Sequence, residues 1–62
     1  MDSKEVIKAL TKAGWIRDRQ SGSHVTFKHP DQPLLVTVPH PRRDMPVGLV
    51  RSIEKISGLT LR

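Results

Sequence analysis

Cysteine and tyrosine are absent from the 62-residue sequence, and Trp15 and Phe27 are its only aromatic residues. Without cysteine there is no disulfide framework, no thiolate zinc site and no cysteine nucleophile, and a reducing compartment is compatible with that lack. Two aromatics cannot furnish a sheet with stacking platforms, which argues against reading RNA sequence base by base. Long apolar runs are missing as well. The longest, Leu34-Leu35-Val36, falls far short of the roughly 20 residues that cross a bilayer. The opening Met1-Asp2-Ser3-Lys4-Glu5 lacks the basic-then-apolar order of a signal peptide, so a soluble, cytoplasmic protein without membrane contact is expected. Acidic side chains are scarce too: 6 Asp and Glu stand against 11 Lys and Arg, for a formal charge of +5.

A chain of this length buries only about 60% of its unfolded surface. That allows one thin core and no cavity for an organic cofactor, so no cofactor is expected. The 35% of hydrophobic residues fall in regular patterns, which excludes disorder and predicts one domain over residues 1–62. A small basic domain of this kind suits a polyanion or an acidic protein partner.

Asp2 and Glu5 have the spacing of a capping box, and Val6, Ile7, Leu10 and Ala13 recur at helical spacing up to Gly14. These predict a helix over 3–13, with Lys4, Lys8 and Lys12 forming a basic ridge along another face. From Trp15 the period changes to two. Trp15, Arg17 and Arg19 should point one way and Ile16, Asp18 and Gln20 the other. Ser21-Gly22-Ser23 reads as a turn, followed by a strand from His24 to His29 with Val25 and Phe27 inward and His24, Thr26 and Lys28 opposite. Pro30-Asp31-Gln32-Pro33 breaks that strand, and Leu34–Val38 predicts a third. Pro39-His40-Pro41-Arg42-Arg43 is a loop. Asp44 is the expected N-cap of a second helix over 45–57, with Pro46 in its first turn, Leu49, Val50, Ile53 and Ile56 on its buried face and Gly58 closing it. Leu59 or Leu61 should fold back onto it. The order α-β-β-β-α with short connections predicts an α+β domain: a three-stranded antiparallel sheet with two helices packed on one face.

The segments Ser21-Gly22-Ser23-His24-Val25-Thr26-Phe27, Val36-Thr37-Val38-Pro39-His40 and Pro46-Val47-Gly48-Leu49-Val50-Arg51-Ser52-Ile53 resemble the HicA family of bacterial toxins, over about Ser3 to Leu61. The resemblance implies a fold like that of double-stranded RNA-binding domains. It also implies the toxin of a type II toxin–antitoxin system, an mRNA interferase that stops translation, silenced by a HicB-type antitoxin encoded beside it. Any DNA contact would then belong to the antitoxin in the complex. His24 matches the histidine of the family's glycine-serine-histidine motif and is the residue carried over as catalytic.

Chemistry supports that choice. A histidine, with an ordinary pKa of about 6.5, can take and give a proton near neutrality. RNA carries its own nucleophile in the 2′-OH, so a base near it and cations near the phosphate suffice without a metal. Gly22 and Ser23 offer backbone amides to a phosphate oxygen. Lys28 shares the face of His24, Arg42 and Arg43 sit on a loop and can grip phosphate in bidentate fashion, and Lys4, Lys8 and Lys12 can follow a phosphate backbone. Acidic groups of an antitoxin would meet Arg42, Arg43 or Lys28. His29 and His40 are expected to be surface histidines beside prolines, and no histidine pair or carboxylate cluster has metal-ligand spacing. Two other functions fit the same features: a module that holds double-stranded RNA without cutting it, and a small interaction protein whose basic surface meets an acidic partner.

Overall fold

A computed structural model describes residues 1–61. Helix α1 (Ser3–Lys12) is followed by strands β1 (Ile16–Ser21), β2 (His24–His29) and β3 (Gln32–Pro39), and then by helix α2 (Val47–Ser57). The strands form one antiparallel sheet in the order β1-β2-β3, as the short connections predict. Asp2 caps α1, its carboxylate accepting the Lys4 N–H at 2.8 Å. Val6 and Leu10 carry the apolar stripe into the core.

The core lies between the helices and one sheet face. Val25 and Phe27 of β2, and Val36 and Val38 of β3, alternate inward and meet Val6, Leu10, Trp15, Met45, Val50 and Ile53. Ile7, Leu49, Ile56, Leu59 and Leu61 pack around this center, so the C-terminal leucines do return to α2. A hydrogen bond from the Leu61 N–H to Glu54 Oε2 at 2.8 Å pins that return. Ala13, expected on the stripe, is exposed beyond the helix end.

Three local features differ from expectation. The β1–β2 register shifts between Arg17 and Arg19, so Asp18 is the extra residue of a β-bulge and the even alternation predicted for β1 is broken there. Strand β3 begins at Gln32 and includes Pro33. An edge strand tolerates a residue that cannot donate to a ladder, and here Pro33, Leu34 and Leu35 span the interval that Lys28 alone spans on β2. Helix α2 starts at Val47, with Pro46 in the cap position and no side-chain cap bond. Asp44 is therefore not its N-cap. The buried Met45, whose N–H donates to the Met1 carbonyl at 2.9 Å, sets where the chain enters the helix.

Candidate functional site

The second sheet face is uncovered. Cross-strand partners share a face, so the registers place Ser21 beside His24, Arg19 and Thr37 beside Thr26, and Ile16 beside Lys28 on that open side. No pocket opens among the described residues. The cations that the registers set on this side are Arg19 and Lys28.

His24 opens β2 directly after a two-residue turn of Gly22 and Ser23. Gly22 has φ +58, the positive value that the first central position of a type II′ hairpin turn requires. The Gln20 amide donates to the Gly22 carbonyl at 3.1 Å and steadies the turn. His24 is exposed and, among the described residues, its ring forms no hydrogen bond or ion pair. Thr26, two residues on, faces Thr37 with 3.5 Å between the hydroxyls. Lys28, four positions from His24, lies 3.5 Å from Asp18. The same carboxylate lies 3.5 Å from Arg19 Nε.

The other two histidines are not the free surface residues expected. His29 accepts the Asp31 N–H at Nδ1 (3.1 Å), which leaves the proton on Nε2 to bond the Ala13 carbonyl at 3.2 Å. Its ring also stands edge-on to Trp15 at 5.2 Å. Gly14 makes room for this: a Cβ there would come within 3.1 Å of His29 Nε2, and its φ is +97. His40 points to the helix side, the same side as Val36 and Val38, and shares a 2.8 Å hydrogen bond between Nδ1 and Ser3 Oγ.

Ser3 is wholly buried and was not singled out by sequence. Its Oγ also accepts the Arg42 N–H at 2.9 Å, its own N–H donates to the Arg42 carbonyl at 2.8 Å, and the His40 N–H donates to the Ser23 carbonyl at 2.6 Å. The loop carrying Arg42 and Arg43 is thereby fastened both to the start of α1 and to the turn that presents His24. Arg42 and Arg43 are exposed on it. The Lys4, Lys8 and Lys12 ridge is exposed on α1, which covers the opposite sheet face, so only its Lys4 end adjoins this loop.

Arg19, Ser21 and Thr37 belong to the open face and were also missed. Period-two alternation could have flagged Thr37, but the face of Arg19 depends on the bulge. Among the described residues, no three His, Asp or Glu side chains are grouped to hold a metal ion, and no helix is long and apolar enough to cross a membrane.

Among curated proteins none matches the sequence. A solved chain from a structure described as the HicA3 and HicB3 toxin-antitoxin complex is 41% identical, with all of both chains covered and a TM-score of 0.87. The family model for the HicA toxin of bacterial toxin–antitoxin systems matches residues 3–59. The chain therefore belongs to the HicA toxin family of bacterial toxin–antitoxin systems.

Proposed function

We propose that this toxin is a metal-independent endoribonuclease that cleaves mRNA and so stops translation, with His24 in proton transfer. The observation that carries the reading is an exposed imidazole, free of hydrogen bonds among the described residues, at the end of an uncovered basic sheet face. In the reaction the ribose 2′-oxygen forms a bond to phosphorus and the P–O5′ bond breaks. The 2′-OH proton passes to His24, the 5′-oxygen takes a proton from water, and the products are a 2′,3′-cyclic phosphate and a 5′-OH. Arg42 and Arg43 on their anchored loop, Lys28 along β2 and the amides of Gly22 and Ser23 hold the phosphate backbone, with Lys4, Lys8 and Lys12 contributing at longer range.

The HicA3–HicB3 complex supports a HicB-type antitoxin as the partner; in this reading it covers His24, its acidic groups meeting Arg42, Arg43 or Lys28. Any DNA contact of the pair would lie in the antitoxin. One experiment tests the reading: RNA is incubated with the pure protein, with EDTA added, with His24→Ala, with a 2′-deoxy residue at the cleavage position, and with the antitoxin. Cutting should persist in EDTA and stop in each of the other three arms. RNA that is bound but never cut by the parent protein would replace the enzyme with a binding module.

A further inference from the structure

Arg17 and Arg19 lie two residues apart on β1, and in an undisturbed strand their side chains would share a face. The bulge at Asp18 separates them. Arg17 pairs with Phe27, and its guanidinium carbon stands 6.0 Å from the center of that ring, on the covered side. Arg19 pairs with Thr26, on the open side. It is thereby a diagonal cross-strand neighbor of His24, a separation of about 7–8 Å between Cα atoms that a long side chain readily spans.

Asp18 adds a second observation. Its two carboxylate oxygens lie 3.5 Å from Arg19 Nε and 3.5 Å from Lys28 Nζ, so one acid spreads two cations across the face that begins at His24. With the Arg19 side chain 71% exposed, such a pair adds little to stability. What it does is geometric. The acid lies against Nε and no ion pair or hydrogen bond among the described residues engages the terminal Nη pair, the nitrogens through which a guanidinium grips a phosphate by two parallel hydrogen bonds.

We propose that Arg19 is a catalytic residue of this site, its guanidinium binding the non-bridging oxygens of the scissile phosphodiester as they gain negative charge, and that Asp18 is the positioning residue that aims it. The assignment rests on the ribonuclease reading above. It gives the bulge a function: one inserted residue delivers a phosphate-binding group to the imidazole, while the arginine two positions earlier stays over the Phe27 ring.

Arg17 supplies a matched control, because Arg17→Ala and Arg19→Ala remove the same charge from the same strand. Single-turnover cleavage of an end-labelled mRNA transcript at saturating protein, alongside the Kd for the same RNA, separates binding from chemistry. Arg19→Ala should cut about 100-fold more slowly at saturation, the scale set by loss of one preorganised donor to a developing oxyanion. Its Kd should rise by less than about tenfold, as for one lost phosphate contact among several. Arg19→Lys should restore the affinity but only about a tenth of the rate, since a point charge lacks the bidentate edge. Arg17→Ala should stay within about threefold of the parent, and unchanged thermal unfolding of Arg19→Ala would confirm that its exposed position carries no fold. Equal losses in Arg17→Ala and Arg19→Ala would reduce the effect to net charge and overturn the assignment. An inactive His24→Ala beside a fully active Arg19→Ala overturns it while leaving the ribonuclease reading intact. A parent protein that leaves the RNA whole overturns both.

Discussion

At one end of β2, His29 has both ring nitrogens bonded and its ring set against Trp15, whereas His24 at the other end is exposed with no partner among the described residues. Both residues are histidines flanking a turn of the same strand. The difference lies in what the rest of the chain brings to each end. Near His29, the Ala13 carbonyl just past the end of α1 accepts a hydrogen bond from Nε2–H, and Gln32 reaches the Ile56 carbonyl near the end of α2 at 2.5 Å. Near His24, the chain supplies arginines and backbone turns but, among the described residues, nothing that binds the ring. A histidine with both nitrogens committed is a structural bracket, and one left open on a basic face remains available for proton transfer.

The largest expected effect on this contrast is the loss of activity in His24→Ala. Single-turnover cleavage should fall by about 100- to 10,000-fold, the range for a general acid–base group, with the melting temperature unmoved. His29→Ala should do the reverse. Losing two hydrogen bonds and an aromatic contact should lower stability by about 2 kcal/mol, seen as a fall of roughly 10 °C in Tm, while the folded fraction cuts RNA at the parent rate. A loss of chemistry without a loss of stability in His29→Ala would erase the distinction between the two ends.

Ser3→Ala sharpens the comparison from the other side, because it loosens the end that carries His24 without touching the ring. The Arg42 N–H and His40 Nδ1 lose a partner, which should cost about 1.5 kcal/mol in chemical denaturation and weaken RNA binding. Ser3→Thr keeps the hydroxyl but must fit a methyl group into a fully buried site. The smallest effect is expected from replacing Lys4, Lys8 and Lys12 together with Gln. The ridge faces away from His24, so the cleavage rate at saturation should hold, and the salt dependence of RNA affinity should become shallower by at most about one unit of log–log slope per lysine that meets a phosphate. A large loss of rate at saturation would place the ridge in the chemistry after all.

Element order, the inward residues of β2 and the exposed His24 were all legible in the sequence, because each rests on local periodicity or turn chemistry. The bulge was not. Asp18 is neither glycine nor proline, and its offset exists only in the pairing with β2, so regular alternation put Arg17 and Arg19 on one face. Asp44 had the chemistry of an N-cap, yet the burial of Met45 outweighed it and moved the helix start past Pro46. Ser3 was silent for a related reason. A serine in a first helical turn is unremarked until a loop 37 residues away returns to bond it.

That separation has a kinetic meaning. The β1–β2 hairpin, with His24 at its turn, closes through pairs from Ser21–His24 out to Ile16–Lys28, whereas the Ser3 bonds to His40 and Arg42 join positions 37 and 39 residues apart. Long closures are slow relative to hairpins. A folding chain is therefore expected to present the imidazole first and acquire its anchored arginines last. In stopped-flow measurements Ser3→Ala should accelerate unfolding and leave the folding rate nearly unchanged, the mark of a contact formed after the transition state. The toxin's competence would then be the final event of its own assembly.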